Sequence, residues 1–379
     1  MAEKRSIFEE VGSDQKIAPA PKGGLIDGAK SGARLAIRRW LMVLFGLVVI
    51  MIAVGGLTRL TDSGLSITEW RPVTGALPPM SEAAWEAELE KYRQIPEYQL
   101  QNNGMSMSEF KVIYWWEWGH RQLGRFIGLV WALGFLYFFL TKKIPTGWTG
   151  RLLILGALGG FQGAIGWWMV SSGLTGTMLD VASYRLATHL GLAFVILGVI
   201  AWFVMLLGRT EADLLQARRA REGRLFSMAT GLTHFVFLQI ILGALVAGID
   251  AGRSYNEWPL MGGAFVPPTA FDLEPLWRNF FENAGLVQFI HRVTAYLLFI
   301  FGVVVWWRSR ESGNGETRFA FNAVLAMMVV QMVIGIMTVL YSAPWQLAIL
   351  HQFGAVLLYV AILRARFLAQ YPRAQSVRG

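Results

Sequence analysis

Four of the five histidines in the chain, His120, His189, His291 and His351, each stand a few residues inside the same end of an apolar segment. Neutral imidazole is a ligand for metals and for haem iron. The four occupy matching places in two halves of the sequence, so they form two pairs at one depth. Ionisable groups inside a bilayer are costly and usually functional. A purely structural role, joining buried helices, suits one isolated histidine better than four in duplicated positions. His234 has no partner in the first half, where Gly46 holds the corresponding place, and reads as a packing or polar-contact residue.

Zinc favours three or four nitrogen, sulfur or oxygen ligands in a compact tetrahedron. Here the ligands come one per segment, cysteine is absent and few acids are near. Two axial nitrogens per site in apolar surroundings suit haem iron, although ligand count alone leaves another metal open. Arg185 lies four residues before His189, on the same helix face. It either grips a haem propionate through paired hydrogen bonds or faces lipid headgroups. Arg121 and Arg292 follow their histidines directly, and Arg125 lies further along. Glu117, three residues before His120, is the sharpest candidate for chemistry. The second half carries Gln288 at its place. This asymmetry suggests a reactive site in the first half and a holding site in the second. The alternative is an ordinary interfacial glutamate among Tyr114, Trp115, Trp116 and Trp118, an aromatic belt.

The elements that position these residues are membrane helices. Of the 379 residues 54% are hydrophobic and 16% charged. Eight apolar segments of about 17–22 residues are long enough to span a bilayer: Trp40–Leu57, Gly119–Leu140, Leu152–Val170, Leu186–Gly208, Phe226–Ile249, Val287–Trp307, Phe319–Tyr341 and Leu347–Leu363. The polar residues 1–39 contain no signal-peptide pattern and read as a cytoplasmic tail, with a second cytoplasmic tail at 366–379. The net charge of +9 is unevenly spread: 23 Lys and Arg fall in the tails and the loops after the even-numbered segments, against 8 on the opposite side. That bias places both termini in the cytoplasm and argues against a nucleic-acid surface. Without cysteine, disulfides and thiolate chemistry are excluded.

The halves repeat one another. Asp62, Gly64, Glu69, Trp70, Gly75, Ala76 and Pro79 match Asp250, Gly252, Glu257, Trp258, Gly263, Ala264 and Pro267, each pair 188 positions apart. His120-Arg121 echoes His291-Arg292, Gln162 and Gly166 echo Gln331 and Gly335, and His189 echoes His351. Four spans per half preserve direction, so the expected fold is all-α: eight transmembrane helices as two parallel-repeat four-helix bundles. The first bundle covers 40–208 and holds the reactive site; the second covers 226–365. The outer loop Thr58 to Trp118 is expected to carry an amphipathic helix within Glu82 to Tyr98 against the membrane face. The outer loops are expected to cap the two sites, with a structural role for the repeated Glu-Trp pairs. Gly156, Gly159, Gly160 and Gly163 suggest close helix packing.

At Gly55-Gly56-Leu57-Thr58-Arg59-Leu60-Thr61, Glu117-Trp118-Gly119-His120-Arg121, Ala187-Thr188-His189, Phe289-Ile290-His291-Arg292 and Leu350-His351-Gln352 the chain resembles the haem A synthase family. The likeness covers nearly all of Trp40 to Leu363, and its lack of cysteine looks like the mitochondrial-type members. The resemblance implies an oxidoreductase that hydroxylates a methyl group of haem O twice, the diol losing water to give the formyl group of haem A for terminal oxidases. It implies haem b as cofactor, held by His291 and His351 with Arg292 nearby. It implies haem O as substrate at His120 and His189, with Arg121 and Arg185, and Glu117 as catalytic acid. It implies a multi-pass protein of the bacterial inner membrane, in the lipid bilayer. Haem O synthase and cytochrome oxidase assembly factors are the implied partners, and a homo-oligomer stays open. The competing reading is a bis-histidine dihaem cytochrome for electron transfer. A haem carrier is a third reading, disfavoured by fixed iron ligands.

Overall fold

The computed structural model describes residues 31–176 and 178–374; most of the N-terminal tail and the last five residues lie outside them. Eight long helices are apolar enough to cross a membrane. They are α1 (Ser31–Leu60), α2 (Met107–Leu140), α3 (Thr149–Val170), α4 (Ser183–Leu207), α5 (Gly223–Gly248), α6 (Ala284–Ser309), α7 (Gly315–Leu340) and α8 (Trp345–Gln370). Among the described residues there is no strand, only an isolated bridge between Met261 and Ala264. The protein is an all-α, multi-pass membrane protein, as its composition implies.

The helices outrun the apolar segments. Helix α1 already includes residues 31–39, and α8 continues to Gln370. The largest extension is in α2, whose 34 residues span about 51 Å against a hydrocarbon core of about 30 Å. Its start is fixed by a capping box: Glu109 N–H donates to Ser106 Oγ, and Ser106 N–H donates to Glu109 Oε2 at 2.8 Å. Glu117 and His120 therefore lie well inside a continuous helix.

The packing forms two closed rings. Helix α1 packs on α2, α2 on α3, α3 on α4 and α4 back on α1; α5 to α8 are joined in the same order. The rings meet through α4 on α5, α1 on α8, and α4 on α8. Within the first ring, two tryptophans allow close approach. Trp40 Nε1 donates to Val130 O at 3.0 Å across Gly134, and Trp131 Nε1 donates to Leu152 O at 3.1 Å across Gly156. A Cβ at either glycine would meet the indole. Gly159, Gly160 and Gly163 do not share that role: they are exposed on α3 with nothing near their absent side chains, so close packing explains Gly156 but not these three.

Basic side chains satisfy helix ends. Arg34 donates to Arg209 O at 2.7 Å and Arg38 to Val204 O at 3.1 Å, at the C-terminal end of α4; Arg209 donates to Tyr371 O at 2.7 Å, at the end of α8. Arg209 O and Tyr371 O lie at helix ends, which carry the negative end of the dipole, and Arg38 adds a second donor to Val204 O, already bonded to Gly208 N–H at 3.2 Å. On the other side, Arg59 bridges Asp62 at 2.9 Å, Asp180 at 3.3 Å and Asp250 at 2.9 Å. One cation thus ties together the exits of α1 and α5 and the α3–α4 connection.

The first outer loop folds onto the extension of α2. Its helix Glu82–Arg93 buries Trp85, Leu89 and Tyr92. Trp85 meets Tyr114 edge-on at 4.9 Å, and Tyr92 meets Phe110 at 5.4 Å. The expected amphipathic helix exists, but its apolar face is turned to α2 rather than laid on the membrane. A second short helix, Pro96–Leu100, carries Glu97, which is 3% exposed with Oε2 unpartnered. Burial, and then Asp180, Asp62 and Glu117, push its carboxyl up to about 8. The folded loop therefore holds a proton there that the unfolded chain releases near the ordinary carboxylate value. Stability is lost as pH climbs from that value towards 8, by at most about 1.4 kcal/mol per pH unit. Glu97→Gln should match the parent at pH 5 and keep the loop more protease-resistant at pH 9. Identical pH profiles for the two proteins would refute the assignment.

Candidate functional site

Each of the four histidines is carried by an even-numbered helix and lies over a glycine of the helix before it. A Cβ at Gly55 would stand 3.2 Å from His120, at Gly166 2.8 Å from His189, at Gly243 3.1 Å from His291 and at Gly335 2.9 Å from His351. Any larger residue at these places would displace the ring. Three imidazoles are also held by a glutamine placed one turn before that glycine. Gln162 Nε2 donates to His189 O at 2.9 Å and lies 3.2 Å from Nδ1. Gln239 does the same for His291 at 2.9 and 3.0 Å, and Gln331 for His351 at 2.8 and 3.2 Å. The sequence echo of Gln162 and Gln331 is thereby explained. Gln239 was not singled out, although its four-residue spacing to Gly243 is the same signal; the equivalent place in α1 is Met51.

The rings are half-buried. His120 lies within electrostatic reach of His189, and His291 of His351. The helices bearing each pair are diagonal members of their ring: α2 makes no substantial contact with α4, nor α6 with α8. The imidazoles thus come from opposite sides of each quartet. This arrangement fits a flat macrocycle whose iron takes one nitrogen from each side. It does not resemble a compact zinc site, and among the described residues no cluster of three or more His, Asp or Glu could hold a metal ion. His234 bonds only to the carbonyl of Thr230 on its own helix, at 2.8 Å, in keeping with a polar-contact residue.

The arginines beside the histidines are committed to the outer loops. Arg121 donates to Glu69 O at 3.0 Å and Ile67 O at 2.8 Å. Arg292 donates to Glu257 O at 2.8 Å and Tyr255 O at 2.9 Å. The accepting carbonyls are again 188 positions apart. Arg125 makes the same kind of bond to Arg71 O and Pro72 O, both at 2.9 Å. Arg185 donates to Trp168 O at 2.6 Å and stacks its guanidinium 4.7 Å from that indole. It is docked on the end of α3, and its Nε is buried without a partner.

Glu117 is 2% exposed and fully engaged. One oxygen accepts from Ser66 Oγ and Ile67 N–H, both at 2.7 Å; the other accepts from Arg121 Nε at 3.0 Å and Nη2 at 2.5 Å. A carboxylate paired by a bidentate guanidinium and two further donors is strongly fixed. In the second half Gln288 donates to Tyr255 O at 3.1 Å instead, sharing that carbonyl with Arg292, and no carboxylate takes the place of Glu117. A cavity of about 210 Å³ lies under the first outer loop, lined by Glu69, Arg71, Glu88, Arg121 and Arg125 among others. Its walls mix these charged side chains with apolar ones such as Ile67, Leu77 and Met80.

Fold and site together define a polytopic helical membrane protein with two histidine-paired helix quartets. The chain belongs to the COX15-CtaA family of cytochrome oxidase assembly proteins, whose model matches residues 38–363. It is 68% identical over 377 residues to a protein named "Heme A synthase" from a Ruegeria species, covering 99% of each chain. It is similar to proteins of the same name from Roseobacter denitrificans, 67% over 381 residues covering all of both chains, and Paracoccus denitrificans, 61% over 376 residues covering 99% of each.

Removing the Glu117 carboxylate leaves the Arg121 guanidinium, Ser66 and Ile67 N–H without their shared acceptor. Breaking one partner from a buried pair costs about 3–5 kcal/mol. Glu117→Ala should therefore release residues 61–106 to limited proteolysis while the spans stay folded. A digestion pattern like that of the parent would show that the carboxylate does not anchor the loop.

Proposed function

We propose that this chain is a haem A synthase: it oxidises a methyl group of haem O to a formyl group through two hydroxylations and loss of water. The observation that carries the reading is the fourfold histidine-over-glycine arrangement in two quartets, in a chain that matches proteins of that name end to end. The chain is read as a duplicated four-helix unit. The first unit, 40–208, receives haem O between His120 and His189; the second, 226–365, retains haem b between His291 and His351. Iron supplies the oxidative chemistry when bound. The protein's own residues hold, orient and shield. His120 with His189, and His291 with His351, would hold the group between diagonal helices of each quartet. Arg121, Arg125 and Arg292 draw the outer loops over the quartets, which keeps water from the reacting face.

The division of labour rests on Glu117. It is the carboxylate that the first unit has and the second lacks, one turn from a ligand histidine. In this reading it holds Arg121 and the loop closed and sets a fixed, ion-paired carboxylate beside the place where charge develops at the methyl carbon. Arg121 and Arg185 take part in retaining haem O, and Arg292 in retaining haem b, by keeping the loops and helix ends in place. The orientation follows from the basic residues: Arg34, Arg38 and Arg209 cluster at one set of helix ends, which we assign to the cytoplasm of a bacterial cell with both termini there. Haem O synthase and cytochrome oxidase assembly factors are the natural neighbours of such an enzyme.

Pigment extraction and chromatography of the purified protein test this directly. Haem b together with haem O or haem A is expected. Two equivalents of haem b and no haem A would instead indicate a dihaem electron-transfer cytochrome. His291→Ala or His351→Ala should lose the haem b, and a normal low-spin spectrum in either variant would contradict the second site. Glu117→Gln should keep both pigments but form no aldehyde, whereas full haem A production would remove Glu117 from the reaction.

A further inference from the structure

We propose that Met51 makes His120 the exchangeable ligand of the first quartet, whereas a glutamine locks each of the other three imidazoles. The inference rests on the haem-binding reading above and adds to it which of the four bonds to iron is weak.

Four structurally matching places, one turn before the glycine under each ring, are occupied by Gln162, Gln239, Gln331 and Met51. Each glutamine holds its histidine at two points, the backbone carbonyl and Nδ1. Among the described residues no hydrogen bond reaches the His120 ring. Met51 ends instead against α2 one turn further on, its methyl 3.5 Å from where a Cβ of Gly124 would be. The ring is also turned differently: His120 presents Nε2 to its glycine, while the other three present Cε1.

The chemistry of the imidazole gives this difference its consequence. A histidine that binds iron through one nitrogen carries a proton on the other, and an acceptor for that proton fixes the ring and strengthens the ligand. Oε1 of Gln162, Gln239 and Gln331 is buried and has no partner. Rotation of the glutamine side chain offers this oxygen to Nδ1–H once the Nε2 bond to the histidine carbonyl is given up and the oxygen has moved clear of that carbonyl, which keeps its bond within the helix. A thioether is a weak acceptor on a flexible stem and provides no such hold. Loss of a supporting partner typically weakens a metal ligand by about 10–100-fold. The second quartet has glutamine on both sides and suits a resident group. The first has glutamine on one side only, and a site that must admit substrate and let product go needs one ligand that releases.

Carbon monoxide added to the reduced, purified full-length protein reads ligand release, because it binds only where an imidazole leaves the iron. The haems are told apart by their visible bands and by extraction. The parent should bind carbon monoxide at one haem per chain, the one between His120 and His189. Met51→Gln should slow that binding by about 10–100-fold without changing haem content, and Gln239→Met should open the second haem to carbon monoxide. If Gln239→Met fails to retain haem, Met51→Gln alone decides. Parent-like kinetics in Met51→Gln, or carbon monoxide binding in the parent at the haem held by His291 and His351, overturns the proposal. Protein that carries no haem at all would remove the functional reading itself, a result distinct from two haems of equal inertness.

Discussion

The structure depends on one constraint, that a nitrogen ring placed in the apolar interior of a helix bundle needs room and a hold. Room comes from glycine. Each imidazole lies across a helix stripped of its side chain at the point of contact, which brings the neighbouring backbone within van der Waals distance. At three of the four rings, His189, His291 and His351, the hold comes from glutamine, whose long side chain reaches back one turn to the ring and its carbonyl. Leucine or valine at the glycine positions would improve apolar packing and push the ring out of register. Helix pairing within each quartet and the direction of each histidine are therefore set by the same contact.

The two quartets share this plan down to individual hydrogen bonds. Arg121 and Arg292 reach carbonyls 188 positions apart. Asp62 and Asp250 leave α1 and α5 in the same left-handed conformation, with φ of 48° and 50°, a region that aspartate tolerates better than most side chains. Against that background the differences become informative. The first quartet has a buried carboxylate at Glu117 where the second has an amide, and a thioether at Met51 where the second has Gln239. Both departures fall on the elements around His120. They also act in one direction, since each removes symmetry from the ligand pair that is proposed to face the substrate.

Much of this was legible in the sequence, because membrane spans and histidines are strong signals. The eight spans and the gapless run of loop matches rest on residue type and spacing, as does the proposal that the four histidines form two pairs. The parts that were not legible depend on side-chain reach. The extension of α2 was hidden because residues 107–118 are not apolar enough to count as a span, although Ser106 and Glu109 form a recognisable capping box. Gln239 has a methionine, Met51, as its repeat partner, so the two halves show no match at that place. Arg185, from its spacing to His189, reads as a propionate grip or a headgroup contact, and Arg121 as a neighbour of the first haem site. Sequence could not show that loop and helix-end carbonyls lie within their reach.

Those carbonyls also account for the long outer loop being attached as it is. A loop of some forty-six residues over a bilayer protein has many backbone acceptors that helix formation does not use. Arg121 and Arg125, two turns of α2 that face the loop, satisfy four of them, at Ile67, Glu69, Arg71 and Pro72. Arg121 is in turn neutralised by Glu117 from the same helix. The cation can therefore be partly buried without an uncompensated charge, and the loop is clamped to the helix that carries His120 rather than left to drift in solvent. Placing the clamp on the helix that carries His120 couples loop closure to the position of the imidazole, so whatever shifts α2 shifts both together.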